Sequence, residues 1–376
     1  MALNRPIRVL VADDSAFMRT ALSRMIQSDP GLSVAGMARD GVEALALVGS
    51  LDPDVVTLDI EMPRMNGLET LKRIMTEAPR PVIMVSSLTQ DGVRATLDAF
   101  ELGAFDCIPK QLSYASLDIV KIRQRLVDQI KHAAARRHDM ALLHPLPAAG
   151  AVAPPSAPGS PAGPVLACWG GGPTPGRHAQ IAIKLVAIGI STGGPKALQQ
   201  ILPQLPAELA AGMVIVQHMP VGFTGPFAER LHGLSRIAIR EATQGAAIEP
   251  GVALIAPAGW QTTVVARGGG TLAVHLSKTP ADTPHIPSVD VMMCSVAEAC
   301  GPRAMGIIMT GMGCDGQHGI EAIFDNGGLT VGQDEASCAV YGMPRACAEA
   351  GVLKLVVPLQ RIPNEIVWAT RTPIRN

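Results

Sequence analysis

Between Ile7 and Lys110, short apolar runs rich in β-branched residues alternate with amphipathic stretches. The runs IRVLVA, LSVAGMA, DVVTLD, PVIMVSS and AFDCIP have the length and residue types of strands, whereas AFMRTALSRMIQ, GLETLKRIM and DGVRATLDAFELG repeat apolar residues at helical spacing. That alternation predicts an α/β unit with a five-stranded parallel sheet and right-handed crossovers. A long amphipathic segment, 117 to about 137, closes it. The pattern resumes after Ile181 with IKLVAIGI, MVIVQH, GVALIAP, TTVVA, TLAVHL, MGIIMT and LTVGQD. A second α/β domain is expected, doubly wound around a mostly parallel sheet, with a β-hairpin where TTVVA and TLAVHL flank Gly268-Gly269-Gly270.

Between the two units the sequence is dense in Pro, Gly and Ala and has no period, so residues 139–180 read as an irregular linker joining a domain at 1–138 to one at 181–376. As a random coil, its roughly 40 residues would span on the order of 35 Å. The whole chain has 376 residues, 48% of them hydrophobic, which is too long for one ordinary core and apolar enough for two. With a net charge of −1 and 17% charged residues there is no basic surplus for nucleic-acid phosphates or an anionic membrane. Seven cysteines without a C-x-x-C pair argue against a zinc site and a disulfide framework, and read as reduced thiols of a cytoplasmic protein. No run reaches the roughly 18 apolar residues of a membrane span, so no direct membrane insertion is expected.

Candidate chemistry collects at predicted strand ends. Asp13 and Asp14 follow the first strand, Asp59 ends the third, Ser86 the fourth, and Lys110 follows the fifth. In an open parallel sheet these ends converge on one edge. Crowded carboxylates repel one another, and a hard divalent cation such as Mg²⁺ would relieve that repulsion and neutralise a phosphoryl group arriving at Asp59, with Ser86 and Lys110 reading its oxygens. Taken singly, such aspartates are also common turn and cap residues. The run DIEMPRMNG, 59–67, resembles the phosphoacceptor loop of two-component receiver domains, and the resemblance extends from Ile7 to about Arg125. It implies a flavodoxin-like fold, phosphorylation of Asp59 by a histidine kinase, and Mg²⁺ at Asp13, Asp14 and Asp59. Receivers usually carry Lys-Pro after the fifth strand, where this chain has Lys110-Gln111, so a cis peptide there is not implied.

The second unit opens with LVAIGISTGGPKALQQIL, 185–202. Gly189-Ile190-Ser191-Thr192-Gly193 satisfies G-x-S-x-G, the elbow that lifts a serine hydroxyl clear of a sheet, although a glycine-rich connection with Ser191 as helix N-cap would read the same. A dinucleotide cradle fits poorly: Ser191 stands where a glycine is needed, and the next strand ends in Gln217-His218 without an acid. Ser191, His218 and Asp315 in MTGMGCDGQHG all fall at ends of predicted parallel strands and can meet as a Ser-His-Asp triad. Their chain order differs from that of the α/β-hydrolases.

Together IGISTGGPKAL, VIVQHMPVGFTGPFAERL, PSVDVMMCSVAE, TGMGCDGQHG and ASCAVYGMPRAC resemble the chemotaxis protein-glutamate methylesterases, the CheB family. The resemblance covers both domains in family order. It implies phosphorylation-activated hydrolysis of γ-glutamyl methyl esters on methyl-accepting chemoreceptors, with deamidation of receptor glutamines. Carried onto this sequence, Ser191 is the nucleophile, His218 the general base and Asp315 its orienting carboxylate, with the Met312 amide as an oxyanion donor and Thr192 as a second. No cofactor is implied in this domain. His285 and His318 read as surface or cap residues, Met292 and Met293 as core, and Cys314 as turn filler. Gln261 stands where relatives often carry histidine. A receiver joined to a non-catalytic binding module is the competing reading; a DNA-binding output lacks a basic recognition helix.

Overall fold

The architecture is that of a computed structural model, which describes residues 5–87, 89–110, 118–137 and 182–370. The expected linker, 139–180, and the Lys110-Gln111 peptide lie outside the described residues. In the first unit β1 (Ile7–Ala12), β2 (Leu32–Ala38), β3 (Val55–Asp59), β4 (Val82–Ser86) and β5 (Asp106–Pro109) form one parallel sheet in the order β2-β1-β3-β4-β5. The crossovers are α1 (Ala16–Gln27), α2 (Gly41–Leu51), α3 (Gly67–Glu77) and α4 (Gln90–Glu101), and α5 (Asp118–Ala135) follows. Helices cover both faces, which is why every residue of β3 and β4 is buried and the strands read as unbroken apolar runs.

Caps fix where these helices start. The side chains of Ser15, Asp40, Asn66 and Thr89 each accept a backbone N–H from the first turn of α1 to α4 respectively. The return of β3 into α3 is tighter than a cap alone requires. Gly67 N donates to Ile60 O at 2.9 Å, and a Cβ on residue 67 would lie 2.0 Å from Asp59 O. Only glycine lets the loop after Asp59 close on its own strand.

The second unit is a seven-stranded, wholly parallel sheet in the order β15-β14-β13-β6-β7-β10-β8. Its strands are β6 (Leu185–Ile190), β7 (Gly212–Gln217), β8 (Ala238–Glu241), β10 (Val252–Ile255), β13 (Ala304–Ile308), β14 (Leu329–Gln333) and β15 (Leu355–Val357). The expected hairpin, β11 (Gln261–Ala266) with β12 (Leu272–Ser277), stands apart from this sheet and pairs with β9 (Ala247–Ile248). Around the sheet lie α6 (Gly194–Ile201), α7 (Thr224–Leu234), α8 (Val289–Cys300), α9 (Gln317–Asp325), α10 (Met343–Glu349) and α11 (Ile362–Thr370). Met292 and Met293 lie on the buried face of α8, as expected of core.

The two units touch. Val93, Leu97 and Phe100 of α4 belong to one buried apolar cluster with Leu198, Ile201, Phe223 and Phe227. At the rim Arg230 of α7 reaches Asp98 and Glu101 of α4, each at 2.6 Å. Beyond α5, the Arg136 guanidinium donates to the carbonyls of Glu335, Cys338 and Ala339, which lie in the loop after β14. Among the described residues no helix is long and apolar enough to cross a membrane.

The Gly67→Ala substitution should destabilise the first unit by about 1–3 kcal/mol, because its methyl group overlaps the backbone of Asp59. A lower urea midpoint for the transition of that unit would show it; an unchanged midpoint would mean that α3 backs away without cost.

Candidate active site

Two sets of polar residues sit at strand ends, one on each sheet. In the first unit Asp13, Asp14 and Asp59 bring carboxylate oxygens within 4.8 Å of one another. Asp13 and Asp59 are buried and Asp14 is exposed. Lys110 Nζ lies 2.6 Å from Asp59 Oδ2 and 3.3 Å from Asp13 Oδ2. Burial, and then the charge of Asp13, push the Asp59 carboxyl up to about 6 despite that lysine; burial also raises Asp13. Three carboxylates against one ammonium leave a deficit that a divalent cation with oxygen preference fits. An open groove of about 580 Å³, lined by Asp14, Glu61, Met62, Asn66 and Asp91 among others, adjoins the cluster.

Ser86 is buried at the end of β4. Its hydroxyl lies 3.1 Å from Gly92 O and 2.8 Å from Thr96 Oγ1, so it is tied to α4. The five residues singled out in this unit thus share one sheet edge, and Ser86 is wired to the helix that touches the second unit.

In the second unit Ile190 of β6 pairs with Gln217 of β7, so Ser191 and His218 leave adjacent parallel strands at the same level. His218 N donates to Ile190 O at 3.1 Å, and Ser191 N to Thr310 O at 3.0 Å. Helix α6 has Gly193, at φ +78°, as its N-cap, so Ser191 is not the cap and its hydroxyl makes no hydrogen bond among the described residues. Gly311 presses on it: a Cβ there would lie 2.9 Å from Ser191 Cβ.

Asp315 lies in the turn between β13 and α9 and meets His218, with Nε2 and Oδ2 2.8 Å apart. The same carboxylate accepts from Ser288 Oγ at 2.8 Å, Val289 N at 2.8 Å and Asp290 N at 3.1 Å, so it sits on the N-terminus of α8. Burial alone would raise its pKa. The His218 hydrogen bond and charge, with the Val289 and Asp290 amides, outweigh burial and hold it well below the usual carboxylate range. An ionised carboxylate only accepts, so Nε2 carries the ring proton and a neutral ring keeps its lone pair on Nδ1. Nδ1 is buried and has no partner among the described residues.

The Met312 and Thr192 amides donate to no protein acceptor among the described residues. Thr192 is buried, and its carbonyl accepts from Thr310 Oγ1 at 2.9 Å. Gln333 accepts from Thr310 N at 2.9 Å and so fixes the strand end beneath that turn.

Several participants were not foreseen from sequence. His285, expected at the surface or on a cap, stacks on His218 with ring centroids 4.0 Å apart and 18° between planes, although its residue surface remains open to solvent. The crowding around its ring, then the charge of His218, lower its pKa from the ordinary value. Gln261 is fully buried and bonds Pro280 O, Thr283 Oγ1 and Ser288 N, so it braces the segment that carries His285 and Ser288. His318 is exposed and pairs with Glu321, and Cys314 is exposed on the turn, so neither joins the cluster.

Ser288→Ala removes both a donor to Asp315 and the cap of α8. It should cost about 1–3 kcal/mol of stability in chemical denaturation at neutral pH. A loss below a few tenths would mean that water replaces the hydroxyl.

Comparison with known proteins follows the same division. The family model described as CheB methylesterase matches residues 186–366, and that of the response regulator receiver domain matches residues 9–120. The chain is 47% identical over 368 residues to a protein-glutamate methylesterase/protein-glutamine glutaminase 1 of Oleidesulfovibrio alaskensis, covering 96% of this chain and 99% of that one. It is 44% identical over 369 residues to the protein-glutamate methylesterase/protein-glutamine glutaminase of Pyrococcus abyssi, covering 97% and 94%. Among solved structures, the catalytic domain of Thermotoga maritima CheB methylesterase is 36% identical and covers 50% of this chain and 99% of its own, with a TM-score of 0.48.

Proposed function

The chain belongs to the CheB family of receiver-linked protein-glutamate methylesterases, and from that premise we propose that it hydrolyses γ-glutamyl methyl esters on chemoreceptors and deamidates receptor glutamines, under control of phosphorylation at Asp59. The observation that carries the catalytic reading is the His218–Asp315 pair, in which the carboxylate takes Nε2 and leaves a buried, unpartnered Nδ1 on a residue that leaves its strand at the same level as Ser191 leaves the adjacent one.

In this reading Ser191 Oγ attacks the ester carbonyl while His218 Nδ1 takes its proton, and Asp315 stabilises the imidazolium that forms. Negative charge developing on the carbonyl oxygen is met by the Met312 and Thr192 amides, which have no protein acceptor to give up. Collapse of the tetrahedral adduct breaks the C–O bond, and Nδ1–H protonates the leaving methoxide, giving methanol and an acyl-serine. Water, deprotonated by the same Nδ1, then releases the glutamate carboxyl and restores Ser191. With a glutamine substrate the leaving group is ammonia.

The receiver supplies the control. Asp13, Asp14 and Asp59 would hold Mg²⁺, which when bound neutralises charge on the incoming phosphoryl group. Asp59 accepts that group from a histidine kinase, and Lys110 offers its ammonium to a phosphoryl oxygen. Drawing Ser86 toward the phosphoryl group would loosen its contacts to Gly92 and Thr96, and so disturb α4. Helix α4 is the element that Arg230 and the Phe223–Phe227 cluster hold against the second domain. An interdomain contact of this kind is modest, and a few kcal/mol can shift its population.

Methanol released from methylated receptors tests the activity directly. Wild type should release it, and Ser191→Ala should lower the rate by about 10⁴-fold or more while leaving the fold intact. A binding module that signals by occupancy would release none, and a serine variant near wild type would remove Ser191 from the reaction.

The control is tested at the rim. Arg230→Glu sets three carboxylates together where ion pairs stood, and should raise the unphosphorylated rate about 5–30-fold, as expected for 1–2 kcal/mol. Acetyl phosphate with Mg²⁺ should then stimulate the variant less than wild type, and Asp59→Asn not at all. An unchanged basal rate with full stimulation would mean that this contact does not restrain the enzyme.

A further inference from the structure

Gln217 ends β7 between the Ser191 turn and His218 and is only 2% exposed. Its Nε2 donates to Ser191 O at 3.0 Å and to His218 O at 3.1 Å. Ser191 O also accepts from Gly194 N at 2.8 Å. A carbonyl fixed by two donors fixes the plane of its peptide, and in a trans peptide the next N–H points the opposite way. That next N–H belongs to Thr192. Its direction is set, on one side, by the Gln217 amide.

The orientation of that amide is not interchangeable. Turned over, Oε1 would face two carbonyl oxygens and the NH₂ group would crowd Gly194. As it stands, Oε1 is buried with no hydrogen-bond partner, and a Cβ on residue 194 would lie 1.9 Å from it. The fold leaves one buried oxygen unsatisfied and keeps residue 194 without a side chain, so that both donors rest on the backbone of the nucleophile and of the base. Buried unsatisfied groups are rare in native proteins and call for an explanation beyond stability.

We propose that Gln217 is a positioning residue for the oxyanion: by holding Ser191 O it aims the Thr192 N–H at the oxygen that becomes negative, and by holding His218 O it keeps the base in step with that donor. The proposal rests on the reading of Ser191 as nucleophile. It assigns Gln217 no contact with substrate, so its loss should act on the transition state and spare substrate binding.

The test uses the full chain activated with acetyl phosphate and Mg²⁺, methylated receptor as substrate, and phenylboronic acid as a probe that forms a tetrahedral adduct on an active serine. Gln217→Leu should lower kcat about 10²-fold, the lower end for loss of an oxyanion donor, with KM within about twofold. Boronate affinity should fall by a similar factor. A rise in KM at constant kcat, or a lower kcat with unchanged boronate affinity, would overturn the proposal and leave Gln217 a structural tether. Should the leucine variant fail to fold, Gln217→Glu keeps the size but loses the donor pair, and is judged by the same two ratios. Ser191→Ala run in parallel separates the two claims: if it still turns over, the reading of the site fails, whereas an inactive serine variant beside an unaffected Gln217→Leu defeats only the role of Gln217.

Discussion

The second domain is organised around one buried negative charge. Asp315 accepts from the His218 ring, the Ser288 hydroxyl and two amides at the start of α8, and Asp290 in that first turn accepts in turn from Gly316 N and Gly319 N at 2.9 and 2.8 Å. Two carboxylates thus exchange places across two helix starts. A buried charge is costly unless its lone pairs are met, and here four donors meet them. The consequence reaches the chemistry: an ionised Asp315 fixes the tautomer of His218 and leaves Nδ1 as the only basic atom of the ring.

The first domain places carboxylates at an equivalent sheet edge and treats them in the opposite way. Asp59 has Glu61 N at 3.2 Å and Lys110 as partners, and Asp13 lies close enough to repel it. Its carboxyl is pushed up to about 6, while that of Asp315 is held low. The difference is one of donors supplied. A fully satisfied carboxylate is a fixed orienting group, whereas an undersatisfied one has capacity for a cation and for a new bond. Parallel sheets make both arrangements available, because strand ends gather side chains from distant parts of the chain at one edge.

Much of this was legible from the chain. The segments IRVLVA and AFMRTALSRMIQ are β1 and α1 to the residue, since central strands covered on both faces read as apolar runs and surface helices as periodic ones. Of the seven-stranded sheet, β8 and β15 do not stand out in the sequence, nor does the two-residue β9 beside the hairpin. Strands β8 and β15 lie at sheet edges, and AIRE and LVV are too short and too mixed in polarity to stand out. Helix α2, GVEALALVGSL, is apolar on most sides and shows little period. The residues of the site were legible as strand-end Ser, His and Asp, but their supports were not. Ser288 acts on a partner 27 positions away, and His285, exposed as expected, stacks on a ring 67 positions earlier. Gln217 drew notice only as the absence of an acid, since its bonds depend on strand register.

A chain of contacts runs between the two sites through elements that each site already fixes. Ser86 is tied to α4, α4 to Arg230 and α7, and α7 begins six residues after His218. In the proposed mechanism the Asp315 charge arranges the base. The most direct measurement of it is the turnover of Asp315→Asn on methylated receptor, with folding checked by circular dichroism. An asparagine can still accept from Ser288 and the α8 amides but no longer holds the imidazolium, so the rate should fall by about 10⁴-fold in a folded protein. Activity within tenfold of wild type would contradict the account, because His218 would then find its working orientation without the charge around which the domain is built.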